Sequence, residues 1–60
     1  MSLLRIETER ERDGRWIAEV VNVPGVMCYG RTKGRAKRKA SRLGQRVVNK
    51  VINEVMTKKE

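Results

Sequence analysis

The feature that most restricts this chain is a pair of turn signals, Asp13-Gly14 and Pro24-Gly25, with Arg15-Trp16-Ile17-Ala18-Glu19-Val20-Val21 held between them. That run is rich in the β-branched and aromatic residues that suit a pleated surface. Asp-Gly supplies the positive φ angles of a two-residue type I′ turn, so the spacing predicts a β-hairpin with its turn at Asp13-Gly14. Pro24 has no N–H to give to a ladder and Gly25 tolerates a corner, so the second strand stops there and Val26-Met27-Cys28-Tyr29 forms a third. Gly30 closes that strand, and Thr32 is placed to cap a following helix.

Upstream, Leu4-Arg5-Ile6-Glu7-Thr8-Glu9-Arg10-Glu11 alternates, with Leu4, Ile6 and Thr8 on one face and Arg5, Glu7 and Glu9 on the other. This is the pattern of a strand wet on one side. In the second arm Trp16, Ala18 and Val20 share a face, and Ile17, Glu19 and Val21 share the opposite one, where Glu19 marks solvent. Trp16 therefore reads as a core anchor and not as a stacking platform for a base, because no second exposed aromatic stands beside it in a strand. Tyr29, at the end of the third strand, packs its ring and keeps its hydroxyl wet, with a binding contact as the alternative.

From Lys33 to about Thr57 the period changes from two to near 3.6. Ala36, Ala40, Leu43, Val47, Val51 and Val55 recur three or four apart and make one apolar stripe, which predicts a long helix covering the sheet. The alanines and Gly44 let its backbone lie close to the strands, which offsets the roughly 1 kcal/mol that an interior glycine costs. Val48, Ile52 and Met56 form a second apolar row beside the first and are read as an oligomer contact. A fourth strand is disfavoured there because the doublets at 47/48, 51/52 and 55/56 recur every four residues. The fold class that follows is α+β: a three-stranded antiparallel sheet with one long helix packed on one face, in the order β-β-β-α.

Sixty residues are expected to make a single domain over 1–60, with Met1-Ser2-Leu3 compatible with a cloning remnant. A chain of this size buries only about 60% of the surface its unfolded form exposes. Its lone cysteine, Cys28, gives no internal disulfide and reads as a small hydrophobe, and the chain has no His to build a metal site with it. Self-association, most simply a homodimer, is the remaining means of stabilisation. No apolar run has the length of a signal peptide core or a membrane span, so no membrane partner is expected and the cytoplasm is the default compartment.

Net charge is +8, unevenly spread: residues 1–30 hold four basic and five acidic side chains, whereas residues 31–60 hold eleven basic and two acidic. No acid stands between Glu19 and Glu54. At 100° per residue Arg31, Arg35, Arg38, Arg42, Arg46 and Lys50 fall in a band roughly opposite the Ala36-Leu43-Val47 stripe. Cations in the first half of a helix oppose its macrodipole, and none of the five arginines has an acidic residue four places on to relieve it. A face built only for solubility more often mixes signs, so the ladder points to an anionic partner, either nucleic-acid phosphate or an acidic protein surface. Enzymatic chemistry is not expected. There is no His and no nucleophile–base pair, and Glu7, Glu9, Glu11 and Asp13 read as charge that discourages edge pairing between molecules. No catalytic residue, cofactor or metal is assigned.

The ordered set Asp13-Gly14, Trp16-Ile17-Ala18-Glu19-Val20, Val23-Pro24-Gly25 and Tyr29-Gly30-Arg31-Thr32, followed by a helix carrying Ala36, resembles the HicB-like antitoxin domain over residues 4 to 56. Val23 stands where that family commonly has Leu, Val26 where it has Cys, and Arg31 where it has Asp; Arg35-Ala36 replaces a Glu-Ala pair. The resemblance implies a non-catalytic antitoxin-type domain that neutralises a small toxin ribonuclease by protein–protein binding. Longer family members carry a DNA-binding segment after this domain, and none follows before Glu60, so the resemblance does not extend to repression of its own operon. Two other readings are a nucleic-acid-binding module using the basic helix face, and a structural homo-oligomer without a dedicated partner.

Overall fold

The computed structural model describes residues 4–57. Its elements are β1 (Ile6–Arg10), β2 (Trp16–Val20), β3 (Met27–Gly30) and α1 (Lys33–Thr57). The strands form one antiparallel sheet in the order β1-β2-β3, and α1 packs against it. This is the expected α+β architecture.

The hairpin turn differs from the expected one. Type I′ requires positive φ at both central residues, yet Gly14 has φ +93° and no non-glycine residue among those described is positive. The carbonyl of Glu11 accepts from the Gly14 N–H at 3.0 Å, and the Glu11 N–H donates to the Arg15 carbonyl at 2.7 Å. This is a three-residue loop, a type I turn followed by a left-handed glycine. The reason lies in the register. A two-residue turn would pair Arg12 with Arg15 and, by continuation, set Glu9 beside Ala18 and Glu7 beside Val20 on the core face. The longer loop instead pairs Ile6 with Val20, Thr8 with Ala18 and Arg10 with Trp16. A shift of one residue exchanges the two faces of a strand, so hydrophobic burial selects the loop.

At the second corner the Val26 N–H donates to the Val23 carbonyl at 3.3 Å across Pro24 and Gly25, with Gly25 at φ +84°. Proline then positive-φ glycine is the requirement of a type II turn. The corner is tied back to the sheet where the Val20 N–H donates to the Val26 carbonyl at 3.0 Å, and to β1 where the Arg5 N–H donates to Asn22 Oδ1 at 3.0 Å. Thr32 caps α1 as expected, its Oγ1 accepting from the Arg35 N–H at 3.1 Å.

Among the described residues the buried core is Ala18, Val20, Val26, Ala36 and Ala40, with Leu4, Ile6, Trp16, Val23, Cys28, Leu43 and Val47 packed around it. Small residues let the helix lie close. A Cβ on Gly30 would stand 2.6 Å from the Ala36 backbone nitrogen, and one on Gly44 would stand 3.2 Å from side-chain atoms of Leu4 and Val20. The apolar stripe does not cover the sheet along its whole length, however. A five-residue strand spans about 17 Å whereas a 25-residue helix spans about 37 Å. The helix therefore runs past the sheet, and Val51 and Val55, expected in the core, are exposed.

Candidate functional site

The helix carries its arginines along a band that runs from the flank beside β3, where Lys39 bonds the Tyr29 carbonyl, round to the side turned away from the sheet, and so lies beside the core-facing stripe and not strictly opposite it. Arg35, Arg38, Lys39, Arg42 and Arg46, with Leu43 as a floor, line a groove of about 430 Å³. Arg38, Arg42 and Arg46 also form one wall of an adjoining groove of about 530 Å³, whose other residues are Ser41, Gln45 and Asn49. These three arginines are thus a shared ridge between two furrows, one basic and one lined by neutral hydrogen-bonding groups. Gln45 and Asn49 are already oriented toward each other, Gln45 Nε2 donating to Asn49 Oδ1 at 3.1 Å. Arg31 and Lys50 are exposed but line neither furrow.

The lysines of the first turns behave differently from the arginines. Lys39 Nζ donates to the Tyr29 carbonyl at 3.1 Å and Lys33 Nζ lies 5.9 Å from the centre of the Trp16 ring. Both reach back to the sheet. Lys39 was not among the residues predicted for the ladder, although its angular position borders the Arg35–Arg46 band. Arg35, Arg38, Arg42 and Arg46 stay exposed, and guanidinium groups grip phosphate or carboxylate in a two-pronged way that an ammonium cannot.

The second surface is the face of the sheet that no helix covers. Cross-strand pairing sets Glu7 opposite Glu19, Glu9 opposite Ile17, Ile17 opposite Tyr29 and Glu19 opposite Met27. The result is an apolar centre of Ile17, Met27 and Tyr29 beside a cluster of carboxylates. A shallow hollow of about 320 Å³ is walled by Glu7, Glu9, Glu11, Ile17, Glu19 and Met27. Like charges directly opposite one another destabilise a sheet, so the Glu7–Glu19 pair is a feature that folding alone does not favour. Tyr29 is exposed on this face, with the Arg15 guanidinium 4.5 Å from its ring centre. Parity along the first two strands placed Glu7, Glu9, Ile17 and Glu19 together; Met27 and Tyr29 join them through the β2–β3 register, which alternation within a four-residue strand does not fix.

Asp13, expected among the strand-edge acids, turns away from them. Its Oδ1 accepts from the Arg15 N–H at 3.0 Å and its Oδ2 pairs with Arg15 Nε at 2.7 Å. The Arg15 backbone N–H, and after it the guanidinium, hold the Asp13 carboxyl below its ordinary value. Arg15 therefore links the turn to the Tyr29 ring. Among the described residues no group of three His, Cys, Asp or Glu side chains is placed to hold a metal ion, and no helix is long and apolar enough to cross a membrane.

The fold and its two surfaces define a small α+β domain with a basic helical side and an acidic, partly apolar sheet side. No family model, curated protein or solved structure matches this chain.

Proposed function

We propose that this chain is a non-catalytic, HicB-like antitoxin-type domain that neutralises a small toxin ribonuclease, and that the uncovered sheet face takes the toxin. The observation that carries the reading is the pattern on that face, Ile17, Met27 and Tyr29 beside Glu7, Glu9 and Glu19. A ribonuclease must hold a polyanion and so presents cations around its active site. A surface with an apolar centre and adjacent carboxylates is complementary to it, the centre supplying affinity and the acids supplying orientation and rate of encounter. The test is growth of cells expressing a small toxin ribonuclease encoded by a short open reading frame beside this gene, the presence of such a frame being the first thing the test establishes. Co-expression of the wild-type chain restores growth, and the variant carrying Ile17→Lys and Met27→Lys does not, while Arg38→Gln with Arg42→Gln still does. Rescue that survives the sheet-face changes, or no rescue at all, overturns the proposal.

A second reading is favoured by the arginine ridge: the outer face of α1 binds nucleic acid through phosphates. The ridge rises between two furrows along successive turns, and the sequence puts no acid between Glu19 and Glu54 to neutralise it. Binding through Arg35, Arg38, Arg42 and Arg46 gives a log–log salt slope of about −3 to −4 for roughly four phosphate contacts, with little dependence on sequence. Changing all four to Gln removes that binding and leaves the fold intact. No salt-dependent binding at low ionic strength refutes this reading and leaves the first untouched.

A further inference from the structure

Two rows of helical residues, each stepping by four, change character at the point where the sheet ends. In the row Ala36, Ala40, Gly44, Val48, Ile52, Met56, the first three are buried against the strands and Val48 is half-buried, whereas Ile52 is 48% exposed and Met56 67%. In the neighbouring row Leu43 and Val47 pack on the core, while Val51 is 53% exposed and Val55 67%. In the first row, which drifts about 40° around the axis at each step, side chains are small where it faces the sheet and large where it has turned and run clear of it. Solvation alone would favour the reverse beyond the sheet, since a contiguous apolar patch is uncommon on a monomer and marks an interaction site.

We propose that the overhanging half of α1, Val48 to Met56, is the seat of a second copy of this chain, the two helices crossing antiparallel about Ile52. The first argument is the size of the core. Among the described residues it consists of three alanines and two valines, and Val20 is the largest side chain that is fully buried. A domain with so little buried volume and no disulfide needs further burial as a standing part of its structure, which a second copy always supplies.

The second argument is charge, and it selects the orientation. Residues 31–46 hold eight cations and no acid, whereas residues 47–57 hold only Lys50 and Glu54, which cancel. By helical geometry both lie about 160° around the axis from Ile52, so the apolar rows carry no charge. A parallel pair would align the two cationic halves along their length; an antiparallel pair sends them to opposite ends. With Ile52 on the two-fold axis, Val48 falls opposite Met56 of the other copy, and Asn49 and Asn53 border the seam. Rows that step by four on both helices interdigitate at about −50°, the commonest crossing in globular proteins.

The test is light scattering and sedimentation equilibrium on the full chain from low to high micromolar concentration. The expected result is a dimer, with association weakened at least 100-fold in Ile52→Lys. Because unfolding would also make that variant monomeric, a cross-linking pair accompanies it in a Cys28→Ala background. Ile52→Cys forms an intermolecular disulfide on mild oxidation, and Arg38→Cys does not. A monomer at all concentrations, a dimer indifferent to Ile52→Lys, or cross-linking through Arg38→Cys in preference to Ile52→Cys each overturns the proposal.

Discussion

The close approach between Gly30 and the first turn of α1 gives an exacting test of the packing argument. A methyl group at Gly30 would meet the Ala36 nitrogen at 2.6 Å, the Ala36 Cα at 3.0 Å and the Arg35 carbonyl carbon at 3.1 Å. All three are backbone atoms, so no rotamer change relieves the overlap and the whole helix must move away from β3. Overpacking of this kind costs about 1–3 kcal/mol, and rigid neighbours place Gly30→Ala at the upper end. The smaller entropy of the unfolded chain returns about 0.4–1 kcal/mol, leaving a net loss of about 2 kcal/mol. For a chain of 60 residues, whose total stability is on the order of 3–9 kcal/mol, that loss is a large fraction. It lowers the thermal midpoint by about 10 °C or more. Gly44→Ala is the control. Its added carbon meets side-chain atoms of Leu4 and Val20 at 3.2 Å, an overlap that a few tenths of an ångström relieves, and a helix interior gains about 1 kcal/mol from the exchange to set against it. Urea and thermal unfolding at one protein concentration measure both. Gly30→Ala within about 0.5 kcal/mol of wild type, or Gly44→Ala as damaging as Gly30→Ala, would refute the reasoning.

Gly14→Val forces a β-branched residue to φ +93° and lowers stability by about 1 kcal/mol or more, whereas Asp13→Asn keeps the Oδ1 acceptor for the Arg15 N–H and stays close to wild type; thermal unfolding separates them. Because the folded Asp13 carboxyl is held below its ordinary value, its stabilising effect is complete above the unfolded carboxylate range near 3.9 and is lost as pH falls through the folded value. Unfolding midpoints measured down through that range should therefore fall more steeply for wild type than for Asp13→Asn. Thr32→Ala removes the acceptor for the Arg35 N–H and costs about 1 kcal/mol in chemical denaturation, while Thr32→Ser restores it.

Most of the fold was legible because local signals and tertiary demands agree. Thr32, the change of period after Lys33, Pro24-Gly25 and the alternation in both hairpin arms each specify what the structure contains. The hairpin turn was misread because Asp-Gly serves both a two-residue turn and a three-residue loop with a left-handed glycine. The discriminating information was nevertheless present: requiring Leu4, Ile6 and Thr8 to share a face with Trp16, Ala18 and Val20 excludes the two-residue turn. Two other features were not legible. That α1 leaves the sheet near Val48 depends on strand length against helix length and on the crossing direction, which periodicity does not encode. The role of Gly30 depends on where α1 crosses β3, a contact absent from any local pattern.

The distribution of charge makes the proposed roles separable, which sharpens what each experiment means. The acids Glu7, Glu9 and Glu19 lie on the uncovered sheet face, the arginines from Arg35 to Arg46 along the first half of α1, and the uncharged apolar rows on its second half. A toxin held by the sheet face leaves the arginine ridge exposed, and a second copy held by the helix end leaves the sheet face free and meets the neutral furrow beside the ridge at Asn49. The assembly that follows is a dimer with two outward sheet faces and two basic ridges at opposite ends. Opposed electrostatics then give opposite responses to salt. Screening weakens attraction at the sheet face and the ridge, but it relieves repulsion between the two cationic halves of a dimer. Raising the salt concentration should therefore loosen either kind of partner binding while tightening, or leaving unchanged, the self-association through Ile52. A dimer that dissociates as salt rises would mean that opposite charges, not the rows around Ile52, hold the copies together, and would move the interface to the contact between an acidic sheet face and a basic ridge.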